Sequence, residues 1–230
     1  MAAQQPLETL PANPPVYVYE LPVRLWHAVN ALCVVVLAVT GYLIASPLPT
    51  QPGEASDHFL MGYIRFAHFA AAYLFAIGFL GRIYWACVGN HHARQIFALP
   101  VLNPRWWAGV WRELRWYLFL EKTAERHVGH NPLAQLTMFA LFVLGSAFMI
   151  VTGFALYSEG EGKGSWQDAL FGWVIPWFGQ SQDVHTWHHM VAWVIVWFVI
   201  SHVYIAVREN LMSRQSMIET IVTGWRTFKD

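Results

Sequence analysis

Two histidines, His188 and His202, stand fourteen residues apart in one apolar segment, VHTWHHMVAWVIVWFVISHVYIAV, residues 184–207. From His189 to Val207 this segment has no Asp, Glu, Lys or Arg. At 3.6 residues per turn, that spacing advances about four turns and leaves the two rings roughly 40° apart, on one helix face. At 1.5 Å per residue they lie ~21 Å apart along the axis. This is most of a ~30 Å hydrocarbon core, so one histidine falls near each membrane surface. Two imidazoles at opposite depths, on one face of a spanning helix, are what two stacked hemes need. The competing reading is a hydrogen-bonded packing histidine. Ionisable groups at membrane depth are rare and usually functional, and matching histidines at matching depths on other helices decide between the two.

The composition describes the elements that position these residues. The 230 residues are 56% hydrophobic, 16% aromatic and 12% charged, and an ordinary soluble domain carries roughly twice that share of charge. Four apolar stretches, about 26–45, 61–85, 133–157 and 185–207, are each long enough to cross a bilayer. The expected fold is an all-α integral-membrane four-helix bundle spanning 17–230, with no separate soluble domain. Residues 1–16 read as a Pro-rich, disordered tail. They lack the basic n-region of a cleavable signal peptide, so the first span directs insertion. Fourteen basic and fourteen acidic residues give no sign of nucleic-acid binding.

Lys and Arg set the orientation. Residues 82–126 hold Arg82, Arg94, Arg105, Arg112, Arg115, Lys122 and Arg126, and the tail after the fourth span holds Arg208, Arg214, Arg226 and Lys229. The connection 46–60 has no basic residue, and 158–184 has only Lys163 against Glu159, Glu161, Asp168 and Asp183. The positive-inside rule therefore puts both termini and the 82–132 loop in the cytoplasm. His27, at the start of the outward-running first span, is then an inner residue. His68, early in the inward-running second span, is an outer one. His188 is outer and His202 inner. Depth pairs His68 with His188 and His27 with His202, giving two bis-histidine sites; neutral imidazole is a good iron ligand, and bundle interiors hold such cofactors.

The remaining groups are weighed against those four. His185 and His189 sit about 100° and 140° off the face of His202. His185 reads as an interfacial residue, and His91, His92, His127 and His130 read as surface residues of the cytoplasmic loop. Arg24 and Arg65 each precede a proposed ligand by three residues, next to it on a helix. Either can pair with a heme propionate through bidentate bonds, or snorkel to the interface. Arg208 is a third candidate on the inner side. Cys33 and Cys87 are single and far apart, so there is neither a C-x-x-C-H attachment site nor an iron–sulfur ligand set, and any heme is non-covalent, of b type. No nucleotide, flavin or hydrolase motif is present. Residues 104–120, rich in Trp and Arg, suit a helix lying in the inner interface. Pro132 suits a first helical turn. The outer stretch FGWVIPWF, 171–178, is too short to span and suits either a dip into the interface or a docking surface for a partner.

The strings YVYELPVRLWHAVN, GYIRFAHFAAAYLF, GRIYWACVGN, GHNPLAQ, MIVTGFALYSEG, SQDVHTWHH and SHVYIAVRE occur in this order across nearly the whole chain from about residue 16. In them the sequence resembles the b-type cytochrome subunit of membrane-bound, uptake-type nickel–iron hydrogenases, within a wider group that includes the cytochrome b subunit of formate dehydrogenase. The resemblance implies four membrane helices, two hemes b on His27, His68, His188 and His202, and a quinone as electron acceptor. It also implies hydrogenase small (iron–sulfur) and large (nickel–iron) subunits on the periplasmic side of the bacterial inner membrane. The chain has no cysteine set for nickel and is not expected to activate hydrogen itself. The alternatives are the cytochrome b subunit of another respiratory oxidoreductase such as formate dehydrogenase, a heme-free membrane anchor or transporter, and a b561-type reductase of a small soluble substrate.

Overall fold

The computed structural model describes residues 14–49, 52–54, 57–123 and 125–228. Four long helical stretches carry the fold. These are α1 (Leu21–Ala45), α2 (Leu60–Val88), the third span Pro132–Glu161, and α8 (Ser181–Met212), each long and apolar enough to cross a membrane. The third span is built from α4 (Pro132–Thr137), a π-helical turn Met138–Val143, and α5 (Leu144–Glu161). Each span begins or ends a few residues beyond the apolar stretch that announces it. Pro22 and Pro132 sit in first turns, where a missing N–H costs nothing. Large apolar side chains face outward all along the spans, among them Leu32, Phe66, Ile77 and Trp197, the last 67% exposed. A soluble protein does not present such a surface, and a lipid-facing one does. The chain is a multi-pass membrane protein.

α1 packs along α2, and α5 along α8. Between them Phe79, Ile96, Phe142 and Val143 form a core, with Trp26 and Phe198 packed against it. The π turn contributes both Phe142 and Val143 to that core. The Thr137 hydroxyl, which donates to the carbonyls of Leu133 and Ala134, competes locally with the regular ladder. At one end, α6 (Trp166–Phe171) and α7 (Val174–Phe178) fold over α5, and Val174, Ala155 and Val184 close a second core. The segment 171–178, expected in the interface or at a docking surface, forms the end of α6 and all of α7, with Trp173 and Trp177 exposed.

The other end is more elaborate than a loop. β1 (Val16–Tyr17) pairs antiparallel with β2 (Trp225–Arg226), in register Val16↔Arg226. Gly224, at φ +92°, ends α9 (Met217–Thr223) and turns its carbonyl to the amides of Val18 and Tyr19. Residues 1–13 of the expected tail lie outside the described residues, but Val16 belongs to the folded part, not to the tail. The amphipathic helix expected within 104–120 is α3 (Pro104–Tyr117), capped by Asn103. It packs against α4 so closely that a Cβ on Gly109 would come 2.9 Å from Pro132.

Candidate functional site

His27 on α1 and His202 on α8 face each other, ring centroids 6.4 Å apart and planes at 53°. Two imidazoles on opposite sides of one first-row metal ion, with nitrogen–metal bonds of about 2.0–2.1 Å, have ring centres roughly 6.4 Å apart. The spacing is therefore the one a bis-imidazole iron needs. Phe198, one turn before His202, stacks on its ring at 5.8 Å and 20°. Phe142 packs on Phe198, and Trp26 meets the edge of Phe142 at 5.9 Å. This aromatic wall limits how the His202 ring can turn.

The other pair is His68 on α2 and His188 on α8, and His68 is among the groups close enough to His188 to act on it electrostatically. Each ring is held by a threonine on a neighbouring helix. Thr40 Oγ1 lies 2.9 Å from His68 Nδ1, and Thr152 Oγ1 lies 2.7 Å from His188 Nδ1. Each hydroxyl also contacts the carbonyl four residues earlier on its own helix, Val36 at 2.6 Å and Phe148 at 2.7 Å. Those oxygens cannot approach so closely without the hydroxyl proton between them. A threonine has one proton to give, so the imidazole Nδ1–H is the donor to the threonine oxygen. That leaves Nε2 of both rings unprotonated and available to a metal. The residue after each threonine is a glycine. A Cβ on Gly41 would lie 3.3 Å from His68 Cε1, and one on Gly153 3.3 Å from His188 Cε1. The two rings rest directly on glycine backbone.

Along α1, thirteen residues separate His27 from Thr40, ~20 Å of rise, which matches the ~21 Å between His202 and His188 on α8. The donor set, its tautomer and its spacing suit two b-type hemes.

The three arginines differ. Arg24 is half-buried, its Nε without a partner, one turn before His27. Arg65 is exposed on α2. Arg208 has partners of its own: Nη1 donates to Glu209 at 2.9 Å, and Nη2 donates to the Trp116 carbonyl at 3.0 Å, while its Nε has none. Its guanidinium also sits within about 5 Å of the rings of Trp116, Tyr117 and Phe119.

Two loop histidines expected at the surface are structural. His130 Nδ1 and the Tyr19 hydroxyl share a hydrogen bond of 3.2 Å. Burial, with His202, Arg226, Arg82 and His92 nearby, pushes His130 down to about 3, and burial pushes Tyr19 up to about 12. His127 lies 2.7 Å from the buried Glu113, whose other oxygen accepts from Asn131. His92 is half-buried and its Nδ1 has no partner, whereas His91 is exposed. His185 is exposed, its Nδ1 3.0 Å from the Ser181 carbonyl oxygen. The reading from sequence alone passed over Thr40 and Thr152. A signal existed: Val-Thr-Gly-Tyr at 39–42 and Val-Thr-Gly-Phe at 151–154 repeat one pattern.

Known proteins resemble this chain over most of its length. A family model described as prokaryotic cytochrome b561 matches residues 18–224. The chain is 68% identical over 215 residues to a probable Ni/Fe-hydrogenase B-type cytochrome subunit of Azotobacter vinelandii, covering 94% of this chain and 90% of that relative. A protein of the same name from Cupriavidus necator is 65% identical over 214 residues, with 93% and 88% covered. The probable Ni/Fe-hydrogenase 1 B-type cytochrome subunit of Escherichia coli K12 is 50% identical over 217 residues, with 93% and 91% covered. With the family model spanning all four membrane helices and all four paired histidines, the chain belongs to the prokaryotic cytochrome b561 family.

Proposed function

We propose that this chain is a diheme b-type cytochrome that anchors a periplasmic nickel–iron hydrogenase to the bacterial inner membrane and passes its electrons to quinone. The observation that carries this is the pair of two-histidine sites, about 20 Å apart in depth, with Nε2 available at one and metal-ligand spacing at the other. The relatives' names support the hydrogenase as partner. Its small, iron–sulfur subunit and its large, nickel–iron subunit would sit on the side of α6 and α7. Heme b, when bound, supplies one-electron iron chemistry between those clusters and the quinone.

This chain's residues hold the hemes. His68 and His188 form the outer pair, His27 and His202 the inner pair. The aromatic rings of Trp26, Phe142 and Phe198 pack in series beside His202. Arg24 and Arg65, neither bound to a carboxylate among the described residues, stand ready for propionates. Arg208 already has Glu209 as its counter-charge, so the propionate role rests on the first two.

The test begins with heme counted per chain in the intact complex, where two are expected. Replacing His68 or His188 with Ala should remove the outer heme, and replacing His27 or His202 the inner. His202→Ala membranes, with complex content checked, should still oxidise hydrogen with a dye that takes electrons from the exposed clusters, yet fail to reduce quinone. Normal quinone reduction with the inner heme verified absent would overturn the electron path. A formate-oxidising partner copurifying in place of the hydrogenase would overturn the assignment of partner.

A further inference from the structure

The two threonine–glycine pairs are related to each other as well as to their histidines. Val39-Thr40-Gly41-Tyr42 lies on α1 and reaches forward to His68 on α2; Val151-Thr152-Gly153-Phe154 lies on α5 and reaches forward to His188 on α8. In each half of the bundle, one helix offers an oxygen and a bare backbone, and the next long helix lays an imidazole across them. The halves are thus built alike at the outer plane. Among the described residues, no hydrogen bond of this kind is made by His27 or His202 at the inner plane.

We infer that Thr40-Gly41 and Thr152-Gly153 are matched imidazole seats, positioning residues that fix the tautomer and orientation of the outer ligand pair and set the reduction potential of the iron it holds. The inference rests on the reading of His68 and His188 as iron ligands. Each seat acts through two physical effects. The threonine oxygen accepts the Nδ1–H, so the ring carries more negative charge at Nε2 and becomes a more basic ligand. A more basic axial ligand favours the oxidised iron, and hydrogen bonding around the ligands is one of the levers by which a protein tunes its heme. The glycine sets how near the ring can lie to the helix. A Cβ at 3.3 Å from Cε1 forces the ring to move by a few tenths of an ångström, as large as the tolerance of a metal–nitrogen bond.

The threonine's own geometry makes the acceptor reliable. Its proton is already committed to a carbonyl one turn back, so it cannot compete for Nε2 chemistry or reverse the hydrogen bond. An outer-plane iron held this way is biased toward giving up its electron, which suits the entry end of an inward path.

The experiment is redox potentiometry with low-temperature paramagnetic resonance on the intact complex carrying Thr40→Val, Thr152→Val or Thr152→Ser. Each Val variant should move the potential of one heme upward and leave the other unchanged, because no seat touches the inner pair. Thr152→Ser, which keeps the hydroxyl, should restore the wild-type potential. Gly153→Ala should change the resonance g-values of the same heme, which report ring orientation. If a Val variant sheds its heme, the inference predicts retention by the Ser variant, with roughly tenfold or greater weakening in Val; loss in both would overturn it. Unchanged potentials and g-values with both hemes present would also overturn it, and would make the threonines packing residues. Failure of the underlying reading looks different: His188→Ala would then keep two hemes with unaltered spectra.

Discussion

Glu209 should matter more to this protein than its position at a helix end suggests. Arg208 and Glu209 are 7% and 4% exposed at the end of α8. One carboxylate oxygen of Glu209 accepts from Arg208 Nη1 at 2.9 Å and from Trp116 Nε1 at 2.7 Å, while Arg208 Nη2 donates to the Trp116 carbonyl at 3.0 Å. This knot holds α3 against α8. Glu209→Ala removes the counter-charge and leaves a buried guanidinium and an indole N–H without their acceptor. Breaking one side of a buried pair costs about 3–5 kcal/mol. Replacing both partners by Met removes both charges, and leaves chiefly the orphaned Trp116 N–H, at about 1–3 kcal/mol. The single variant should therefore be the less stable of the two. Reversible denaturation in detergent micelles measures both, and limited proteolysis between residues 95 and 125 reports whether α3 has come loose. If Glu209→Ala costs less than about 1 kcal/mol, or the double variant is as unstable as the single, the knot is not a desolvated ion pair of the expected kind.

The other predictions concern the same end of the bundle and the orientation of the whole. His130 is pushed down to about 3 chiefly by burial, against roughly 6.5 in an unfolded chain. Between those values the unfolded chain binds the additional proton, so stability rises with pH through that window and is lost as pH falls below about 6.5. Unfolding free energies at pH 5 and pH 7 should show this slope in the wild type and a shallower one in His130→Phe. Asn131→Ala removes the cap that accepts from the Ala134 amide at 2.7 Å, and with it the donor to Glu113; it should cost about 2 kcal/mol, read as a lowered thermal midpoint. A reporter enzyme active only in the periplasm should be active when fused after Gly162 and silent after Arg94 or at Asp230; the reverse pattern would invert the electron path.

What could be read from the sequence was whatever depends on distance along one helix. Rise per residue is fixed at ~1.5 Å, so the separation of His188 and His202 along α8 followed from counting. The extents of the spans were legible to within a few residues, and were underestimated where polar residues continue the helix, as at Ser181–Val184 and Arg208–Met212. The same counting bears on Arg208. Six residues turn a helix about 240°, carrying Arg208 off the face of His202, and its neighbour in sequence is a carboxylate.

What could not be read depends on how different helices face one another. Nothing local to Thr40 says that His68 crosses it, because that contact joins residues 28 positions apart through the packing of α1 on α2. His127 and His130 sit in a polar stretch that reads as an exposed loop. They are partly covered, by α3 and by the segments around β1 and β2 from opposite ends of the chain: Glu113 lies beside His127, Tyr19 comes to His130, and Arg226 donates to the His127 carbonyl at 3.2 Å. Composition predicts exposure on average, and tertiary closure overrules it here. The repeated Val-Thr-Gly-aromatic string is the intermediate case. It is visible in the sequence, but it acquires a meaning only once a histidine is found lying on each copy. A repeat that places the same two residue types under both rings of one ligand pair constrains those rings twice over, by an acceptor for Nδ1–H and by the absence of a Cβ. Packing alone would ask for the second and not the first.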